Sequence, residues 1–236
     1  MGYNIHAEHS IVLRRADLRE NDRMLTLLTP RGREEALCRG CKRPSSPLLS
    51  ASECFVMGEY VLYTGKGIST VTSCQITESF YPLRENWDRL RAASCMLSLC
   101  ETAAQPAQDT KDLFTLLARS LFRLAYKQEM GTDTVMAGFL LHFAVLNGYR
   151  PQLSVCARCG QPAEHARLFD TEDGGVLCEA CARFPVSAFP LHEGQLEWMT
   201  GVMKAGIERY PDAEKDPPAD LLIRYLSARM EKKIIY

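Results

Sequence analysis

Long apolar runs are what this chain most lacks. Its longest, Met136–Leu146, is about half the length that a membrane-spanning helix requires, and it contains His142. No transmembrane helix is expected. The opening residues MGYNIHAEHS have no basic segment followed by an apolar core and a small-residue cleavage site, and His6 stands where a myristoylation motif after Gly2 needs Ser or Thr. A cytoplasmic protein is expected. An excess of one charge is also missing, since 28 Lys and Arg face 29 Asp and Glu. Attraction to a polyanion must therefore come from local patches. Internal repeats and low-complexity segments are absent. So are a phosphate-binding Gly-rich loop with Lys and Ser or Thr, a G-x-S-x-G nucleophile turn, and the H-x-E with P-C-x-x-C of zinc deaminases. An enzyme is not expected, and His142, inside an apolar helix, reads as a core histidine.

What is present is ordinary globular material, 236 residues with 46% hydrophobic and 24% charged content, enough for one to three small domains. Five short runs rich in branched and aromatic residues predict strands at 11–15, 23–29, 34–39, 55–63 and 69–77. Turn sequences separate them, Thr29-Pro30-Arg31-Gly32 and Thr64-Gly65-Lys66-Gly67 among them. Five strands suggest a small barrel, either an OB-fold or an SH3-like barrel.

After Pro82 the apolar period lengthens from two to about 3.6, which marks a domain boundary. Asn86 is placed to cap a first helix whose expected apolar face is Trp87, Leu90, Ala93, Met96 and Leu97. A second helix is expected from Asp109 to about Met130, and a third from Thr132 or Asp133 to just before Gly148. Two more are expected at Ser187 to about Tyr210 and Pro218 to about Lys233, joined by the polar stretch 211–217. The expected architecture is α+β: an OB-fold or SH3-like barrel domain over 1–81, a helical domain over 82–150 plus 185–236, and a metal knuckle inserted at 151–184.

Within that insertion lie two C-x2-C pairs, Cys156/Cys159 and Cys178/Cys181, separated by eighteen residues. The spacing suits a four-cysteine zinc ribbon or knuckle, and Gly160 and Gly174-Gly175 permit the turns that bring the pairs together. Four thiolates leave no open position for water, so the expected cofactor is one structural Zn2+. Unrelated cysteine pairs, a redox dithiol and an iron–sulfur cluster are the competing readings. His165 and His192 lie near these pairs but are not needed as ligands. A third pair, Cys38/Cys41, has no second pair beside it and reads as incidental, or as a partial site completed by Cys54.

From Arg31 to Arg43 five cations face two carboxylates, and the segment leads into Pro44-Ser45-Ser46-Pro47. OB-type barrels bind nucleic-acid strands with such loops. Arg14, Arg15, Arg19 and Arg23 could extend the surface, and a solvated loop without a ligand is the other reading. On the second helix Arg119, Arg123 and Lys127 recur every four residues as a basic stripe. It could hold DNA phosphates or an acidic peptide tail, or be simply the wet side of an amphipathic helix.

Taken in order, Val12-Leu13-Arg14-Arg15, Glu20-Asn21-Asp22-Arg23, Leu27-Leu28-Thr29-Pro30-Arg31-Gly32, the basic stretch Arg39–Ser46, and Leu146-Asn147-Gly148-Tyr149-Arg150-Pro151-Gln152-Leu153 before Cys156 resemble the RecO family over nearly the whole chain. The resemblance implies a bacterial, nucleoid-associated, non-enzymatic DNA-repair and recombination mediator. It implies an N-terminal OB-fold, a helical domain and a zinc segment. It further implies binding of single- and double-stranded DNA, annealing of complementary strands, association with RecR and with the C-terminal tail of single-strand-binding protein, and help in loading RecA. Arg39, Lys42 and Arg43 are the DNA contacts that it carries over, with Arg14 and Arg31 as further candidates. An adaptor acting through the helical domain, with no DNA contact, is the alternative.

Overall fold

The computed structural model describes residues 4–65, 67–127, 129–163, 165–207 and 216–236. The chain divides into two compact units, Met1–Tyr126 and Lys127–Tyr236.

In the first unit, β1 (Asn4–Asp17), β2 (Arg23–Thr29), β3 (Gly32–Cys38), β4 (Met57–Thr64) and β5 (Ser69–Glu78) close a barrel in the order β1-β2-β3-β5-β4. The long β1 pairs with both β2 and β4, bending at an irregularity between Val12 and Arg14, and β3 meets β5 in parallel. This is the OB topology, and the SH3-like alternative falls. The hairpin Thr64–Gly67 joins β4 to β5 as expected, with Lys66 outside the described residues. Alternation of burial along β4 and early β5 sends Tyr60, Leu62 and Val71 inward onto Val12, Leu25 and Leu27. At Gly32, φ is +117°, and a Cβ there would lie 2.4 Å from the Gln105 carbonyl. Only glycine fits, because the β2–β3 turn packs directly on the loop between the helices that follow.

Those helices, α1 (Trp87–Ala103) and α2 (Lys111–Tyr126), pack on each other and on the barrel. Asn86 caps α1, its side chain accepting from the Arg89 amide at 3.0 Å. One expectation fails here. Trp87 is 75% exposed, because the buried sector of α1 is centred on Ala92, Ala93, Met96, Leu97 and Cys100, and Trp87 sits on the opposite side.

In the second unit, α3 (Thr132–Leu146) is buried without a break from Thr134 to Ala144, His142 included, and ends at Gly148 with φ +80°. Against it pack α4 (Gln195–Ala205) and α5 (Ala219–Arg229). The helix expected from Ser187 begins only at Gln195; residues 188–190 instead form a strand, β8 (Ala188–Pro190), beside β6 (Leu168–Asp170), which also pairs with β7 (Gly175–Val176). Pro190 and the left-handed Gly194, φ +80°, block an earlier helix start. The expected end of that helix at Tyr210 and the linker residues 211–215 lie outside the described residues.

Candidate metal centre and nucleic-acid surface

The metal centre is built by the three short strands. Gly174 and Gly175 turn β6 into β7, and both positions favour glycine: Gly174 has φ +84°, and a Cβ on Gly175 would meet the Gln152 carbonyl at 2.3 Å. That turn carries Cys178 and Cys181 back to the first pair. The four sulfurs of Cys156, Cys159, Cys178 and Cys181 all lie within 4.8 Å of one another, with Cys159 and Cys178 at 3.6 Å. A tetrahedron with metal–sulfur bonds of about 2.3 Å has edges of about 3.8 Å, so the donor set fits one tetrahedral ion. Burial pushes the Cys156 thiol up, but the amides of Cys178, Cys159 and Arg158 outweigh it and bring the group down to about 6. Its neighbours go the other way: hydrogen bonding with Cys159, then burial, push Cys181 up to about 12. A dication among these sulfurs removes that conflict. No other set of three or more metal-ligating side chains occurs among the described residues.

Two residues that the motif does not announce hold the knuckle together. Asp170, fully buried, accepts from the amides of Glu172 and Asp173 at one oxygen (3.0 and 3.1 Å) and of Val186 and Ser187 at the other (both 3.2 Å). Arg158, inside the first cysteine pair, lies 3.5 Å from Asp170 and 2.6 Å from Asp173, and donates to the Phe184 carbonyl at 2.6 Å. The available signal was the sequence Asp170-Thr171-Glu172-Asp173-Gly174-Gly175, an acidic residue opening a glycine turn.

In the first unit the basic loop is tied down. The Gly40 amide donates to Asp22 at 2.8 Å, the Lys42 amide donates to the Asn21 carbonyl at 3.1 Å, and Cys38 and Cys41 are buried in the barrel core with Leu48, Ala51 and Val56. The third cysteine pair is thus a core plug. Cys54 sits apart from it, among Arg15, Glu53 and Arg84, so the partial metal site is absent. Of the five expected DNA contacts, Lys42 pairs with Asp17 at 2.8 Å, Arg14 with Glu101 at 2.6 Å and Arg31 with Glu8 at 3.3 Å. Arg39 and Arg43 are exposed and pair with no carboxylate among the described residues. Arg23 is buried against Ser52, Glu53 and Asp17, and Arg15 binds Glu53 at 2.6 Å. Arg119 and Arg123 are half-buried on α2, whereas Lys127 lies past its end, 4.0 Å from Glu129.

Family models describe both halves of the chain: "Recombination protein O N terminal" matches residues 4–80 and "Recombination protein O C terminal" residues 84–234. The chain belongs to the RecO family. Among curated relatives named DNA repair protein RecO, that of Alkaliphilus metalliredigens is 34% identical over 171 residues, covering 72% of this chain and 69% of the relative. The RecO protein of Desulfitobacterium hafniense is 35% identical over 178 residues, 75% of this chain and 64% of the relative. That of Acetivibrio thermocellus is 27% identical over 228 residues, 94% and 90% of the two chains. The model boundary at 80–84 in this RecO-family chain falls between the end of β5 and the start of α1. No described helix is long and apolar enough to cross a membrane.

Proposed function

We propose that this RecO-family chain is a cytoplasmic, non-enzymatic DNA-repair mediator that binds single- and double-stranded DNA through the barrel loop. In this reading it anneals complementary strands and helps load RecA onto DNA coated by single-strand-binding protein, with RecR and the tail of that protein as partners. The observation that carries it is the OB barrel with Arg39 and Arg43 exposed, paired with no carboxylate among the described residues, on a loop pinned by Asp22 and Asn21. A pinned loop backbone lowers the ordering cost of bringing these cations to phosphates, where they displace condensed counterions. The metal is one zinc ion with a structural role, since four sulfurs complete its coordination and Asp170 and Arg158 lock the surrounding turns.

The adaptor reading draws support from one observation: Arg14, Arg31 and Lys42 are each engaged by a carboxylate of the same unit. Binding of fluorescent single-stranded DNA across a salt series decides between them. The mediator predicts salt-sensitive binding lost in the folded Arg39→Ala/Lys42→Ala/Arg43→Ala variant; an adaptor predicts no DNA binding.

A further inference from the structure

The residues joining barrel to helix hold two large aromatic rings in water. Tyr81 is 61% exposed and Trp87 75% exposed. Phe80 and Leu83 are buried, the Leu83 amide donates to the Phe80 carbonyl at 3.1 Å, and Asn86 caps α1. Arg84 lies between Tyr81 and Trp87 in the chain. It donates to the carbonyls of Cys54 at 2.9 Å and Ser79 at 3.3 Å and lies 5.5 Å from the centre of the Phe55 ring, so its charge is held in place by groups that do not neutralise it.

This segment is physically continuous with the basic loop. Lys42 binds Asp17 at 2.8 Å, Arg23 links Asp17 at 3.4 Å to Glu53 at 2.9 Å, and the next carbonyl, of Cys54, accepts from Arg84. We propose that Trp87 and Tyr81 are a base-stacking platform for single-stranded DNA, which leaves the basic loop and passes Arg84 to reach them. The proposal rests on the DNA-binding reading above and names where, outside the barrel loop, the bases are held.

The surroundings favour a nucleic acid over a protein. A protein partner selects a contiguous apolar patch, but the neighbours of these rings are the exposed Arg84, Glu85, Asn86 and Asp88, the last within 3.7 Å of Arg91. Arg84, held by carbonyls and paired with no carboxylate among the described residues, gives the segment one available cation, and stacking is indifferent to sequence because every base has a π-face.

The test uses the intact zinc-loaded protein and two probes of equal length, oligo-dT and an abasic phosphodiester. In a Trp198→Phe background, emission reports Trp87 alone; dT should quench it and the abasic strand should not. Wild type should prefer dT by at least about 5-fold, the smallest effect expected of one stacked base. Trp87→Ala and Tyr81→Ala should erase that preference without changing the slope of log K against log salt, and Trp87→Phe should keep it. Equal affinity for both probes, or a preference that survives Trp87→Ala, overturns the platform. If Arg39→Ala/Arg43→Ala still weakens binding and lowers the slope in that case, the DNA-binding reading stands without the platform. If wild type binds neither probe, both fall.

Discussion

The ammonium of Lys42 lies 2.8 Å from Oδ2 of Asp17, whose Oδ1 accepts from Arg23 at 3.4 Å. The hydrogen bond from Lys42 holds the Asp17 carboxyl below its ordinary value, so at neutral pH the loop's central cation is occupied from within. DNA and Asp17 compete for it.

Asp17→Asn should therefore tighten binding to single-stranded DNA and steepen the salt dependence by about one counterion. Fluorescence anisotropy at several salt concentrations measures both. Unchanged affinity and slope would place Lys42 outside the contact surface.

Removing the metal should unfold the knuckle and leave the barrel folded, since the cysteines and their supporting turns all belong to Lys127–Tyr236. Amide exchange after chelation should show protection lost over 152–190 and kept over the barrel strands. In the unfolded knuckle the thiols have the ordinary cysteine value of about 8.5 and are mostly protonated at neutral pH, so rebinding must expel protons. A pH-indicator titration detects them; the absence of proton release would mean the thiols are not the ligands.

Asp170→Ala should destabilise the second unit by about 3–5 kcal/mol, because four amides and Arg158 lose a buried acceptor. Burial raises the Asp170 carboxyl, but the amides of Asp173, Ser187, Val186 and Glu172 outweigh it and leave the group depressed. A depressed acid stabilises the fold above its unfolded value, about 3.9, and that stability is lost as pH falls through the lower folded value. Wild type should lose stability in acid more steeply than Asp170→Asn, as circular dichroism between about pH 2 and 5 would show.

Cys38→Ser and Cys41→Ser should each cost about 1–3 kcal/mol by placing a hydroxyl in the barrel core, with zinc content unchanged. Burial, then the neighbouring Cys41 sulfur, push the Cys38 thiol well up, in keeping with an inert core residue. Loss of zinc on either substitution would restore a metal role for this pair.

Local chemistry was legible wherever it was written in adjacent residues. The spacing of Cys156, Cys159, Cys178 and Cys181 predicted the sulfur cluster, Asn86 the start of α1, Gly148 the end of α3, and the apolar run before the turn Thr29-Pro30-Arg31-Gly32 predicted β2 to the residue. Contacts between distant segments were not. Composition counted Lys42, Arg14 and Arg31 as available cations, whereas their partners Asp17, Glu101 and Glu8 come from elsewhere in the chain. Hydrophobicity assigned Trp87 to a buried face, but which side of α1 is covered depends on where the barrel and α2 lie.

The sequence alone therefore determined the metal-ligand set, the presence of five barrel strands and the family resemblance, because each is written in local runs and spacings, whereas β1, expected at 11–15, spans Asn4–Asp17 because its pairing with β4 extends it. Only the tertiary structure decided which cations remain free, why Asp170 is buried and which aromatics face water. A charge is neutralised, and a ring is covered, by whatever the folded chain brings within a few ångströms, and that distance is not written in the order of residues.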